Sequence, residues 1–164
     1  MNGQDHTGTG PVNAPIFPRP RVVALLLIAA GFALNYFVPL GPGGASVLLE
    51  SAIAGGIIMM CAAAIVFFAV REMERAHTTF RMGEKANALV YSGVYKRTRN
   101  PIYLSFTFLM LGLGIATANP WMVVLAPAFL LYLQECVVKR EEAYLKERFG
   151  AEYADYMRTV RRWL

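Results

Sequence analysis

Cysteine and histidine are scarce in this sequence, which contains two of each among its 164 residues. Cys61 and Cys136 fall in or near apolar stretches, and the histidines are far apart, at His6 and His77. A disulfide framework or a metal site needs several such residues at close spacing. We therefore predict no metal centre and no nucleophile–histidine arrangement, and we interpret the cysteines as packing residues.

Charge is also scarce, because only 16% of the residues are charged while 56% are hydrophobic. That balance is typical of an integral membrane protein rather than of a soluble domain. Apolar runs of membrane-spanning length occur at about 22–38, 46–70, 101–118 and 120–138. The sequence therefore predicts an all-α fold, an integral membrane bundle of four transmembrane helices.

The positive charges avoid two of the three turns that connect these runs. Two of the Lys and Arg residues precede the first run, seven lie in 71–100 and seven follow the fourth run. By the positive-inside rule, both termini and the segments 71–100 and 139–164 are cytosolic. In a bacterium this membrane would be the plasma or inner membrane. The asymmetry also explains the net charge of +5 without a nucleic-acid partner.

Residues outside the runs divide into a leader and a C-terminal region. Residues 1–20 are rich in Gly, Pro, Thr and Asn, which predicts a disordered cytosolic leader before a single membrane domain at 21–164. Alternatively, the first run with its two preceding arginines is a signal peptide. After a helix end at Gly150, apolar residues recur at spacings of three and four, which predicts an amphipathic helix on the cytosolic leaflet; they are Tyr153, Tyr156, Met157 and Val160, beside Arg158, Arg161, Arg162 and Trp163.

Glycine pairs inside two runs favour close helix packing. Gly55-Gly56 would let a neighbouring helix approach closely, and Gly112-Leu113-Gly114 lacks the preceding strand of a dinucleotide-binding motif.

The turn before the third run is the first candidate site. Asn100-Pro101 is a good helix start, since Asn is a favoured N-cap and Pro a favoured first residue. A helix start also presents free N–H groups and a partial positive charge. Arg99 beside it adds a fork suited to a carboxylate or phosphate. The same residues can therefore serve the helix, a ligand or both.

Adjacent carboxylates after the fourth run form the second candidate site. Glu141 and Glu142 are either a solvated helix face paired with nearby lysines and arginines, or groups that hold an ammonium or face a sulfonium. Glu135, still within the apolar run, is either functional or paired with a basic residue. A zwitterionic cofactor fits the two candidate sites together, with its carboxylate at Arg99 and its ammonium at a glutamate.

The chain from about residue 78 onward resembles the isoprenylcysteine carboxyl methyltransferases, membrane enzymes related to the phospholipid methyltransferases. The family's Leu-Val-x-Ser-Gly-x-Tyr stretch is matched by 89–95, and its Arg-His/Asn-Pro-x-Tyr stretch by 99–103. An Asn-Pro turn, a Glu-Glu pair, a Phe-Gly-x-x-Tyr-x-x-Tyr run and a Val-Arg ending follow in order, at Asn119-Pro120, Glu141-Glu142, 149–156 and Val160-Arg161.

This resemblance implies S-adenosyl-L-methionine as cofactor and a lipophilic or lipidated substrate taken from among membrane lipids. It implies that Glu141 faces the methyl-transfer site, with Glu142 close by. The charge pattern adds Arg99 as the third candidate catalytic residue. The resemblance also implies cofactor contacts from two short stretches and one tyrosine between them: Asn87, Ala88, Leu89, Val90, Tyr95, Asn100, Pro101, Ile102 and Tyr103.

One departure concerns histidine. The isoprenylcysteine enzymes proper carry His where this chain has Asn87 and Asn100, and Asn donates a hydrogen bond but carries no proton near neutral pH. The resemblance is therefore to the broad family. The alternatives are a nicotinamide-dependent membrane reductase of the sterol-reductase type, whose C-terminal half is similar, and a non-catalytic membrane subunit or transporter. In a plain structural reading, Tyr91, Tyr95 and Tyr103 are an interfacial aromatic belt.

Overall fold

The computed structural model describes residues 19–41, 45–78 and 88–164, and every regular element in these ranges is helical. The all-α prediction is therefore confirmed for this part of the chain. A 3₁₀ turn, Gly93–Lys96, precedes the third helix, and a π-helical turn, Gln134–Val138, joins the fourth to the fifth without a break. The α-helices are α1 (Pro20–Phe37), α2 (Ala45–Arg75), α3 (Pro101–Ala116), α4 (Pro120–Leu133), α5 (Lys139–Phe149) and α6 (Ala151–Thr159).

Three helices of the described chain are long and apolar enough to cross a membrane: Pro20–Phe37, Ser46–Arg75 and the continuous rod Pro120–Phe149. The third predicted span, 101–118, corresponds to α3, which is apolar but has only 16 residues. At 1.5 Å per residue it is about 24 Å long, less than the roughly 30 Å of a hydrocarbon core. The protein is an integral membrane protein with three helices of spanning length in the described ranges.

Several helix boundaries differ from those predicted. The first helix begins at Pro20, which we assigned to the leader; the rest of that leader, residues 1–18, lies outside the described ranges. Proline is tolerated there because the first turn of a helix needs no N–H partner. The second helix continues to Arg75, and the fourth runs through the π turn into α5. The predicted helix end at Gly150 is confirmed, with φ +55°.

Glycines set the closest helix contact, between α2 and α3. A Cβ built on Gly55 would lie 2.4 Å from the carbonyl oxygen of Gly112 and 2.3 Å from the backbone nitrogen of Ala116. A Cβ on Gly114 would lie 2.7 Å from Met122 of α4. The predicted packing role is confirmed for these three glycines, whereas a Cβ on Gly56 would meet no described atom within 4 Å.

The helix pairs α1–α4 and α3–α4 complete the bundle. Asn119 caps α4, since its Oδ1 accepts from the N–H of Met122 at 3.3 Å, as its sequence position predicts. Its Nδ2 also donates to the carbonyl of Gly31 in α1, at 3.0 Å. Trp121 Nε1 donates to the carbonyl of Val38, just past the end of α1, at 2.9 Å. The start of α4 is thereby fixed to α1.

The C-terminal region differs from the helix predicted to lie on the leaflet. The last helix, α6, ends at Thr159, so Arg162 and Trp163 follow it in a segment that is not helical. Tyr153 and Tyr156 are buried, with 2% and 8% of their surface exposed. Their spacing therefore marks a helix face packed against the protein, because the loop before α3 covers the surface that we assigned to lipid.

Candidate active site

The two sequence candidates meet at the end of the bundle where α2 ends and α3 begins. Arg99 lies in the loop before α3, and its guanidinium Nη2 is 3.3 Å from Oε1 of Glu142 on α5. The Arg99 side chain is only 9% exposed. Its Nε and Nη1 are buried, and no group in the described ranges accepts a hydrogen bond from either. Buried donors of a charged group are costly to leave unpaired, so these two atoms indicate a place for an anionic ligand.

Glu142 is enclosed by two arginines. Arg162 contacts both of its oxygens, with Nε to Oε1 at 3.0 Å and Nη2 to Oε2 at 2.6 Å. These hydrogen bonds raise the pKa of the Arg162 guanidinium above its ordinary value. Two guanidinium groups share one carboxylate, and therefore the cluster of Arg99, Glu142 and Arg162 carries one positive charge in excess.

Glu141 faces a different direction from Glu142, since consecutive residues of a helix are about 100° apart around its axis. Glu141 as a whole residue is exposed, and its Oε2 accepts a hydrogen bond from the phenol of Tyr103 at 2.9 Å. Tyr103 itself is buried in α3, with 3% of its surface exposed. The contact fixes the Glu141 carboxylate beside Tyr103, in the first turn of α3.

The first turn of α3 is built differently from the predicted cap. The helix begins at Pro101 as predicted, but the side chain of Asn100 makes no capping bond to the described backbone. Its Nδ2 donates instead to the carbonyl of Arg162, at 3.3 Å. The helix start is therefore held from outside by the C-terminal segment, and the side-chain oxygen of Asn100 does not compete there for the N–H groups.

The other residues predicted to contact the cofactor differ in how deeply they are buried. Val90 and Ile102 belong to a buried hydrophobic cluster with Ala69 of α2, so their side chains serve packing. Tyr95 and Pro101 are buried, while Ala88 and Leu89 are half-buried in the loop. Asn87 lies outside the described residues.

The motif residues Ser92 and Gly93 fix the loop to α2. The hydroxyl of Ser92 donates to Oε2 of Glu72. Gly93 has φ +55°, and a Cβ there would lie 2.8 Å from the Glu72 side chain. Both the positive φ and the close contact with Glu72 require glycine at this position. The Ser-Gly pair thus positions the chain that leads to Arg99.

A tyrosine of α6 is hydrogen-bonded to the backbone of the same loop. The phenol of Tyr156 donates to the carbonyl of Tyr95 at 2.7 Å. Burial raises the pKa of both phenols above the ordinary value, which keeps them neutral. Tyr95 and Tyr103 are therefore not the exposed aromatic belt considered above, whereas Tyr91 is 57% exposed.

Arg162 and the π turn were not predicted to belong to the site. The segment after α6 adds Arg162 to the site, and the only sequence signal for it was the Val-Arg ending that we noted without a role. Glu135, the uncertain carboxylate, is exposed and paired with Lys139 one helical turn away, which favours the paired interpretation. The π turn that contains Glu135 joins α4 to the helix carrying Glu141 and Glu142; such turns are frequent at functional sites.

Comparison with known sequences identifies the class of protein to which this site belongs. Residues 50–152 match the sequence profile of the phospholipid methyltransferases, which covers more than half of the chain. The chain therefore belongs to the phospholipid methyltransferase family, and several of its curated relatives are protein-S-isoprenylcysteine O-methyltransferases.

Individual relatives match shorter stretches. The protein-S-isoprenylcysteine O-methyltransferase of Saccharomyces cerevisiae is 33% identical over 85 residues, which are 52% of this chain and 36% of the relative. The Arabidopsis thaliana protein-S-isoprenylcysteine O-methyltransferase B is 34% identical over 80 residues, 47% of this chain and 39% of the relative. An uncharacterized protein of Haemophilus influenzae is 37% identical over 65 residues, 38% of this chain and 100% of the relative. The matched chain thus spans less than two fifths of the two isoprenylcysteine enzymes.

Proposed function

We propose that this chain is an S-adenosyl-L-methionine-dependent methyltransferase that acts on a lipophilic or lipidated acceptor at the cytosolic face of a membrane. Family membership and the names of the curated relatives support methyl transfer as the reaction class. The observation that carries the proposal is the buried guanidinium of Arg99, whose Nε and Nη1 have no hydrogen-bond partner among the described residues. Arg99 lies in the loop before α3, and Tyr103 in the first turn of α3 holds Glu141.

The residues present fit the cofactor. Nε or Nη1 of Arg99 would donate to its carboxylate in a charge-assisted hydrogen bond; the two atoms lie on different edges of the guanidinium, on either side of the Nη2 that contacts Glu142. The uncapped helix start at Pro101 adds N–H groups and a partial positive charge on the same side. When bound, the cofactor supplies an electrophilic methyl group on a sulfonium, and S-adenosylhomocysteine remains after transfer.

Glu141 is the residue that we assign to the transfer step. A carboxylate acceptor needs no base, whereas an amine acceptor loses a proton, which the Glu141 carboxylate can take. Tyr103 holds Oε2 of that carboxylate and so orients it. Glu142, enclosed by Arg99 and Arg162, has no such freedom, and we assign it to positioning rather than to the chemistry.

For the membrane, we propose four crossings with both termini in the cytosol. The apolar α3 would be the additional crossing, third in chain order, and with so short a helix Arg99 and the proposed site would lie within the interface rather than in bulk water. Substrate would reach the site laterally from the bilayer, and cofactor from the cytosol. Exposed apolar side chains on α1 and α2, such as Leu25, Ile57 and Met60, support contact with lipid.

Titration of the detergent-purified protein with S-adenosylhomocysteine tests this function. We expect saturable binding by calorimetry and a stabilised thermal transition, because a ligand that binds only the folded state shifts unfolding. A parallel titration with a nicotinamide dinucleotide separates the methyltransferase from a reductase. Folded protein that binds the dinucleotide and not S-adenosylhomocysteine would contradict the proposal.

Arg99→Met is expected to weaken S-adenosylhomocysteine binding by about 10- to 100-fold, the range for losing hydrogen bonds between charged groups. The change keeps a long apolar stem, so the loop retains most of its packing. Arg97→Met is the matched control, since Arg97 lies in the same loop and is exposed. Equal affinities for the two variants in calorimetry would exclude Arg99 from the ligand site.

A further inference from the structure

The segment 160–164 runs beside Glu142 and is hydrogen-bonded both to the loop before α3 and to the π turn. The N–H of Arg99 donates to the carbonyl of Arg161 at 3.0 Å, and the Thr98 hydroxyl donates to the carbonyl of Arg162 at 2.9 Å. Trp163 Nε1 donates to Oε1 of Gln134 in the π turn at 2.9 Å. The backbone at residue 162 is therefore held, and its side chain has a defined direction.

The Arg162 side chain holds both oxygens of Glu142. Its two contacts at 3.0 and 2.6 Å are the parallel pair of a guanidinium fork, whereas Arg99 has a single longer contact of 3.3 Å with the same carboxylate. If Arg162 were absent, Glu142 could turn both oxygens to Arg99. The pair would then be neutral, and the two-oxygen contact would use Nη2 together with one of the two nitrogen atoms proposed for the ligand.

We propose that Arg162 is a positioning residue that keeps Glu142 from neutralising Arg99 and thereby keeps the Arg99 guanidinium open to a carboxylate ligand. The proposal rests on the proposed function, since it takes the cofactor carboxylate as the partner of Arg99. It extends that function by making the segment after α6 part of the binding site, although this segment lies outside the residues 50–152 that match the family.

The test compares two ligands by calorimetry: S-adenosylhomocysteine and its decarboxylated analogue, which lacks only the carboxylate. We expect Arg162→Met to weaken S-adenosylhomocysteine binding on the order of tenfold, as for other coupled charged neighbours, and to change binding of the analogue less than about twofold. A loss of general structure would weaken both ligands alike. Arg161→Met is the matched control, because Arg161 has an exposed side chain and contributes only its carbonyl.

A second substitution separates electrostatics from packing. Adding Glu142→Gln to Arg162→Met removes the carboxylate that would neutralise Arg99, so we expect the double variant to regain at least about threefold in S-adenosylhomocysteine affinity. The S-adenosylhomocysteine affinity of Arg162→Lys, which keeps the charge without the fork, should lie between those of the wild type and Arg162→Met. Arg162→Lys replaces Arg162→Met in the test if the Met variant does not fold.

Equal loss for both ligands, or a further loss in the double variant, would overturn the role of Arg162 while the wild-type affinity still supports the methyltransferase. A wild-type protein that binds neither ligand would instead overturn the proposed function, and the role of Arg162 with it.

Discussion

Glu141→Gln is expected to lower methyl transfer to an amine acceptor by about 10²- to 10⁴-fold, the usual contribution of a general base. Gln keeps the length of the side chain and an oxygen that accepts from the Tyr103 phenol, so the geometry at the start of α3 is retained. Only the capacity to take a proton is lost. Transfer to a carboxylate acceptor, which needs no base, should change by less than about tenfold.

Labelled methyl groups distinguish the two acceptors in the same assay. Membranes incubated with labelled S-adenosyl-L-methionine give methyl esters, which alkali hydrolyses to volatile methanol, or N-methyl products, which survive alkali. Glu135→Gln is the matched control, because Glu135 belongs to the same helical rod but is exposed and paired with Lys139. Undiminished formation of an alkali-stable product by Glu141→Gln would refute the role of Glu141 as a base.

Gly55→Ala should destabilise the folded protein by about 3 kcal/mol, at the upper end of the range for overpacked cores. The added Cβ would collide with two backbone atoms of α3, at Gly112 and Ala116, and backbone cannot move aside as a flexible side chain can. The helices α2 and α3 must then separate, which disturbs both the Glu72 anchor and the loop bearing Arg99. The midpoint of thermal unfolding in detergent measures the effect.

Gly56→Ala provides the control one residue away. Its added Cβ would meet no described atom within 4 Å, and alanine is favoured over glycine in a helix by about 1 kcal/mol. We therefore expect adjacent substitutions of the same chemistry to move the unfolding midpoint in opposite directions. Similar midpoints for the two variants would show that the α2–α3 contact is looser than the structure has it.

Four of the residues that the structure brings close together could be singled out from the sequence. Arg99, Tyr103, Glu141 and Glu142 could be singled out because each belongs to a short motif beside an apolar run, where charge is costly and therefore informative. The helix starts at Pro101 and Pro120 could also be predicted, since Asn-Pro is a local signal that needs no tertiary contact.

Tertiary contacts decided what the sequence could not predict. Tyr153 and Tyr156 recur at helical spacing, and this pattern is the same whether the apolar face packs on lipid or on protein. The roles of Glu142 and Arg162 depend on a segment that returns to the loop before α3 from about sixty positions away, as in the hydrogen bond from Thr98 to Arg162. No periodicity records such a pairing.

The π turn had no local signal either. The run 120–138 reads as one apolar helix, and the direction in which Glu141 and Glu142 face depends on how the chain winds between 134 and 138. The sequence therefore predicted the type of residue at the site more accurately than the direction of its side chain.

The bond between Asn119 and Gly31 has a consequence for the order in which the protein is made. The two residues are 88 positions apart, so α1 leaves the ribosome well before its partner α4 exists. At about 5–20 residues per second, α1 would stay in the bilayer for roughly 4 to 18 s before it could pair. Helices inserted separately associate afterwards in the membrane, and α1 would join a nearly finished bundle.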